Sequence, residues 1–389
     1  MNTWKLPRIV VSPGSFGLAF VVSLGALALP SRAFALQFPT THFVSEVAIG
    51  DINSDGIEDI VTCGDADDTS SVDVLLGNGD GTFQNPTQSF VGSGPGAIAL
   101  GDFNGDGNLD VATANFGIDD ASSRTISVLL GHGDGTFQRR HNYVVGGSPN
   151  SIVATDLNND GVLDFVVGRF SRFVVLLGNG DGSFDVTSEI KVPSNNDSVA
   201  VGDLNGDGEA DVLVGNRTQT KVSIFLGNGD GTFQPRMQKA SGFPLVHSTL
   251  VDVNGDGVLD LLGLFSTFPA SLAVYLGNGD GTFNQPWNVA LSALQIDDFA
   301  AGDWNGDGNI DLAVTALTQT GEVFYIFLGN GDGTFQVSLT SFSIGKKVAS
   351  GLFNADSALD LVGGGGVSLS VRTLYGLGDG TFVNQPPLP

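Results

Sequence analysis

The chain has 389 residues, with 42 Asp and Glu against 16 Lys and Arg, 56 Gly, 15 Pro and a single Cys. A net charge of −26 argues against nucleic acid and anionic membranes, which attract basic surfaces, and one Cys excludes an intrachain disulfide framework. So much Gly disfavours a helical fold, because each Gly inside a helix costs about 1 kcal/mol relative to Ala, while 41% hydrophobic and 15% charged residues disfavour disorder.

The first 35 residues are expected to be a secretory signal. Lys5 and Arg8 precede an apolar run from Phe16 to Leu29. Pro30 and Ser31 break that run, and Ala33-Phe34-Ala35 is a small-x-small cleavage pattern. An uncleaved anchor is the competing reading, but Pro13 and Gly14 interrupt the apolar stretch. Cleavage after Ala35 removes three basic residues and no acid, leaving residues 36–389 with a charge of −29. No later segment is apolar enough to span a membrane. The expected destination is extracellular, at the cell surface or in a periplasm, as a monomer.

The remaining chain is organised by repeats. Asp-x-Asn-x-Asp-Gly-x-x-Asp begins at Asp51, Asp102, Asp156, Asp203, Asp252 and Asp303. A worn seventh copy begins at Leu352 and keeps Asn354, Asp356 and Asp360. A second motif, Gly-Asn-Gly-Asp-Gly-Thr-Phe, begins at Gly77, Gly131, Gly178, Gly227, Gly277, Gly329 and Gly376, with His132, Ser183 and Leu377 as its departures. Successive first motifs lie 47 to 54 residues apart, so seven repeats use up the chain after residue 35 as one domain.

Each repeat reads as four short strands bounded by Gly, Asn and Asp. In the second repeat they are 97–100, 111–114, 126–130 and 137–145. Several are almost wholly apolar, such as Phe173-Val174-Val175-Leu176-Leu177, which implies burial on both faces. Stacked sheets of a ring bury both faces, so the expected fold is an all-β, seven-bladed β-propeller of four-stranded antiparallel blades. The Phe ending each Gly-rich turn is expected to pack between blades. Either residues 37–44 or residues 381–384 supply the outer strand that closes the last blade.

Residues 98–110, their equivalents and the Leu-Gly-Asn-Gly-Asp-Gly-Thr-Phe turns resemble the FG-GAP (VCBS-type) repeat proteins, which include the integrin α-subunit propeller. The resemblance covers all of residues 36–389 and implies the propeller. It leaves function open, because adhesion proteins, lectins and accessory domains of enzymes share the repeat.

The acidic loops read as calcium sites. Ca²⁺ takes 6–8 oxygen ligands, and side chains at positions 1, 3, 5 and 9 with the main-chain carbonyl at position 7 can supply them. The sets are Asp51, Asn53, Asp55, Ile57 and Asp59; Asp102, Asn104, Asp106, Asn108 and Asp110; Asp156, Asn158, Asp160, Val162 and Asp164; Asp203, Asn205, Asp207, Glu209 and Asp211; Asp252, Asn254, Asp256, Val258 and Asp260; and Asp303, Asn305, Asp307, Asn309 and Asp311. The competing reading is a polar hairpin without metal, but six loops each gather three carboxylates that repel one another without a cation. The seventh, with Leu352 and Ser357, is expected to bind weakly or not at all. The Gly-rich turns read as hairpins whose Asn, Gly and Asp supply left-handed conformations.

Both repeated loops fall on one face of the ring, and the irregular loops fall on the other, where a partner is expected. There Arg169, Phe170 and Arg172, then Arg217, then Phe265 and Phe268 form a candidate patch for a carboxylate or sugar; solubilising Arg and packing Phe are the alternative. Asp65, Asp67, Asp68, Asp119 and Asp120 read as a solvated rim. Catalysis finds little support, since His42, His132, His141 and His247 show no ligand spacing and no nucleophile elbow occurs. The expected function is a non-catalytic binding or adhesion module for an extracellular protein or glycan; the alternative is a polysaccharide lyase or hydrolase on the same propeller.

Overall fold

The computed structural model describes residues 36–66, 69–117, 124–192, 198–241, 244–265, 270–291, 293–319, 321–340, 344–365 and 369–384. The expected signal segment, Asp67, Asp68, Asp119, Asp120 and Phe268 lie outside the described residues. Among the described residues there is no helix, and hence none long and apolar enough to cross a membrane.

Seven antiparallel sheets follow one another along the chain, six of them built of four strands in sequence order and the seventh completed by the N-terminal strand. Blade one comprises Phe43–Gly50, Asp59–Ala66, Thr69–Leu75 and Thr87–Phe90. The first strand of each blade lies beside the first strands of its neighbours, with blade seven against blade one, so the first strands ring a central axis. Middle strands are buried over most of their length, and throughout in Asp110–Asn115 and Thr125–Leu129. Fourth strands alternate instead: Thr87–Phe90 and His141–Val144 expose most of their residues, because the outermost strand faces water. The fourth strand of blade two is therefore shorter than expected, with Phe137 held by a single bridge to Gly131.

The apolar core is divided among the seams. Seven clusters of buried side chains each join two adjacent blades. The Phe that ends each Gly-rich turn reaches the preceding blade, as expected. Phe184 meets Phe103 at 5.9 Å, Phe83 meets Phe353 at 5.4 Å, and Phe382 meets Trp304 at 6.5 Å.

Both candidates for ring closure are used. Leu36–Pro39 pairs with Ser370 to Thr373, and Phe382–Val383 pairs with Tyr375 and Gly376. The two termini thus divide the outer edge of one strand, Ser370–Gly376, between them.

Candidate functional site

In the acidic loop of blade two, side-chain oxygens from positions 1, 3 and 5 gather around the loop's own N–H groups. The Asp106 N–H is accepted by Asp102 Oδ1 at 3.2 Å and by Asn104 Oδ1 at 2.9 Å. Gly107 N donates to Asp102 Oδ2 at 2.8 Å, and Asn108 N donates to Asp106 Oδ1 at 2.9 Å. Such winding requires left-handed residues at positions 4 and 6, with φ of +71° at Gly105 and +88° at Gly107. Ser54 and Asn159 adopt the same conformation at position 4 without being glycine.

Position 9 does something the sequence did not reveal. Asp110 is fully buried; its Oδ2 accepts Phe103 N at 2.8 Å and its Oδ1 accepts Gly131 N, the start of the Gly-rich turn, at 2.7 Å. The same pair of bonds recurs in every blade, including Asp360 with Phe353 N and Gly376 N. The two repeated motifs are thus one unit, tied by a buried carboxylate. Burial raises Asp59 and Asp110 to about 6, against the pull of the two N–H groups, and the carboxylates at positions 5 and 1 push them further up.

The Gly-rich turn makes the expected hairpin, with Asp80 Oδ1 accepting Thr82 N at 2.9 Å. It also bolts the blade to the one before. Gly81 N donates to Phe353 O, Gly182 N to Phe103 O, Gly231 N to Leu157 O, Gly281 N to Leu204 O and Gly380 N to Trp304 O, at 2.8 to 3.1 Å. The apolar side chain at position 8 crosses the seam to the preceding blade. The Leu109 side chain lies where a Cβ on Gly50 would meet it at 2.9 Å, and Leu163 fills the same place beside Gly101.

Among the described residues no group of three or more His, Cys, Asp and Glu side chains is arranged to hold a metal ion. The set read from the sequence also counts Asn and main-chain oxygens. That wider set suits a hard cation: oxygens of positions 1 and 3 converge on one N–H, Asn104 Nδ2 bridges to Asp106 Oδ2 at 2.9 Å, and Asp110 uses one acceptor position on each oxygen. No Lys or Arg occurs within any of the six loops to balance their three or four carboxylates.

The seventh loop is wound differently. Neither Ala355 nor Ser357 has a positive φ, and Leu352 is an exposed side chain where the others have Asp. Glu58, the one charged residue at position 8 in the seven loops, crosses from blade one and accepts the Leu352 N–H. Its carboxylate sits where a Cβ on residue 351 would meet it at 2.5 Å, so Gly351 makes room for it.

On the opposite face the five candidate ligand residues that are described, Arg169, Phe170, Arg172, Arg217 and Phe265, do not form one patch. Arg169 is buried at the end of Asp164–Arg169 and pairs with Glu189, whose Oε1 also lies 2.6 Å from Arg172 Nη1. These two arginines already share a carboxylate. Phe170 between them is 60% exposed, whereas Phe265, expected on the surface, is fully buried in the seam between blades four and five. Arg217 lines a cavity of about 760 Å³.

That cavity is the end of the central channel away from the acidic loops, bordered by the first strands of all seven blades. At five residues before each acidic loop the repeats carry Glu46, Ala97, Ser151, Ser198, His247, Asp298 and Lys347. In five blades this position follows a bulge in the first strand. Neighbours are linked from blade to blade: Ser151 Oγ accepts Val199 N, Ser198 Oγ meets Ser248 Oγ at 2.9 Å, and His247 Nδ1 lies 3.1 Å from Asp298 Oδ1. Asp298 Oδ2 then accepts Val348 N, and Lys347 Nζ donates to Glu46 Oε2 at 2.8 Å. Burial lowers His247 to about 4, leaving it neutral at pH 7, and raises Glu46 and Asp298. Aligning the repeats would have exposed this ring, because its chemistry varies between constant flanks; taken singly, His247 carried no signal.

His42, also beside a carboxylate, is sealed. His42, Ser71, Thr62 and Asp73 are all fully buried, with Nδ1 3.0 Å from Ser71 Oγ and Nε2 3.1 Å from Thr62 Oγ1.

A family profile described as FG-GAP-like repeat matches residues 51–113, 116–167, 156–214, 203–263 and 252–314. The chain belongs to this FG-GAP-like repeat family. Curated proteins give no match. Among solved structures, a lectin from Agrocybe aegerita that recognises non-reducing terminal N-acetylglucosamine aligns with a TM-score of 0.54 and 21% identity, over 78% of this chain and 81% of that one. BBS1N in complex with ARL6DN, in mercury- and lead-soaked crystals, aligns at TM-scores of 0.57 and 0.58 with 13% identity, over 88% of this chain and 97% of that one. At these identities the likeness extends to the fold.

Proposed function

We propose that the chain is a secreted, calcium-bearing propeller that binds an extracellular protein or glycan on the face away from its acidic loops, without chemistry of its own. The observation that carries the binding half is the cavity of about 760 Å³ at that end of the channel, a size typical of ligand sites, set in a rigid ring. The Agrocybe aegerita lectin supplies a precedent for glycan recognition on the same fold.

In the six complete loops, calcium would be held by side-chain oxygens at positions 1, 3, 5 and 9 and the main-chain oxygen at position 7. When bound, it would neutralise three carboxylates per loop and stabilise the folded state by mass action. The position-9 Asp would hold the loop to its Gly-rich turn, and the turn would hold the preceding blade. Calcium would thereby support the distant cavity by keeping the blades in register.

The test is a screen of immobilised glycans and extracellular proteins with calcium and with chelator, followed by a turnover assay on every ligand found. Binding that needs calcium and leaves the ligand intact supports the proposal. Cleavage of a bound polysaccharide would replace it with the enzyme reading.

A further inference from the structure

The cavity has a distinctive lining. Glu46 and Asp297 present carboxylates, which when ionised can only accept hydrogen bonds; Lys347 and Arg217 present groups that can only donate. Hydroxyls and amides, including Ser151 and Gln295, complete the wall. The charges are largely spent on one another. Lys347 Nζ is 2.8 Å from Glu46 and 4.0 Å from Asp298, and Gln295 Nε2 donates to Asp297 at 2.5 Å. Despite a chain charge of −26, the channel end therefore combines both signs.

Such a wall discriminates by hydrogen-bonding pattern. A ligand carboxylate or sulfate can accept from Arg217 and Lys347 but is repelled by Glu46 and Asp297 in the same wall. An ammonium has the opposite conflict. A hydroxyl donates to a carboxylate and accepts from a cation at once, so a group bearing several hydroxyls satisfies both kinds of wall. Apolar surface is also present: Leu294, 47% exposed, borders the cavity, and Phe116, 50% exposed, borders an adjoining recess of about 290 Å³. Gly96 and Asn150 line both spaces. Polyhydroxylated rings, with C–H faces between hydroxyl edges, match that combination.

We infer that the channel end ringed by Glu46, His247, Asp298 and Lys347, with Arg217, Asp297 and Gln295 in its wall, is a carbohydrate site that takes the uncharged end of a glycan. This deepens the binding function proposed above and rests on it. The ring residues hold the blades together and shape the site, while Asp297 and Gln295 meet the sugar.

The experiment uses the full chain in calcium on an array of neutral oligosaccharides, with uronate- and sulfate-bearing oligosaccharides as comparators and a displayed peptide library alongside. Neutral glycans should bind, with affinity changing less than threefold between 50 and 500 mM salt. Asp297→Asn and Gln295→Ala should each weaken binding at least tenfold with thermal melts unchanged. Arg172→Ala, at the hairpin tip outside the cavity, should leave binding as it is. A strict preference for charged glycans, or neutral-glycan binding that survives both wall variants, would overturn the site. Peptide binding without glycan binding overturns the carbohydrate inference and keeps the binding function; silence on every surface overturns both.

Discussion

The six complete acidic loops and the seventh differ at three positions, and the difference separates two jobs that one motif performs. The complete loops have Asp at position 1, a left-handed residue at position 4 and Gly at position 6; the seventh has Leu352, Ala355 and Ser357, with no left-handed turn. Yet Asp360 still binds Phe353 N and Gly376 N as its counterparts do. Positions 1, 4 and 6 serve the winding of the loop, where we propose that a cation binds, whereas position 9 ties the loop to the Gly-rich turn in every blade. The worn repeat has lost the first function and kept the second.

That separation is broken most directly by position 9. Asp110→Ala and Asp360→Ala each orphan two buried N–H groups, at about 1–3 kcal/mol apiece. Denaturant unfolding should show losses of several kcal/mol for both, and the Asp360 variant should lose as much in chelator as in calcium. A loss below about 1 kcal/mol for Asp360→Ala would mean that the latch is dispensable.

Calcium removal should act on the other six loops. Chelator is expected to lower the melting temperature by many degrees. Asp256→Ala should reduce bound calcium, counted by calorimetry, by about one ion, while Asp356→Ala leaves the count unchanged. Equal losses from the two variants would make the seventh loop a working site and erase the comparison. In the opposite direction, the double variant Leu352→Asp with Ser357→Gly should add about one ion.

Much of this was legible from residue spacing. The propeller, its blade count, the shared face of the two motifs and the seam-packing Phe residues follow from the repeats, because repetition records what every blade must do. Two kinds of information were hidden. Asp110 looks identical whether it ligates a cation or accepts Phe103 N and Gly131 N, so spacing alone does not distinguish ligand from latch. Contacts made only on folding were the other: Arg169 and Arg172 looked available for a ligand until the fourth strand of their own blade brought Glu189 alongside, and Phe265 looked exposed until blade four covered it.

Glu58 offers a finer test, because its departure from an apolar position 8 faces the departure at Leu352 across the closing seam. Glu58→Leu restores the repeat's pattern but removes the acceptor of the Leu352 N–H. The expected cost is about 1 kcal/mol, since that group is near water and the lost bond is a single charge-assisted one. Glu58→Gln should recover most of it. A more stable Leu variant would show that apolar packing at this seam outweighs the hydrogen bond.

The smallest signal is one proton on one side chain, and it isolates blade seven from the metal. Burial, more than the repulsion from Asp356 and Glu58, raises Asp360 from 3.8 to about 7, against the pull of the Gly376 and Phe353 N–H groups. A carboxyl raised in the folded state binds its proton more tightly there than in the unfolded chain. Its contribution to stability is complete below pH 3.8 and declines as pH rises to about 7. Asp360→Asn does not titrate and carries a fixed penalty, because its amide faces one of the two N–H groups with an N–H of its own. With calcium saturating in both proteins, the advantage of wild type over this variant should shrink between pH 4 and 7, at no more than about 1.4 kcal/mol per pH unit. It should then level off. Unfolding by denaturant across pH 4 to 8.5 reads this difference directly, and an advantage that grows with pH would mean that the two N–H groups outweigh burial and hold Asp360 ionised.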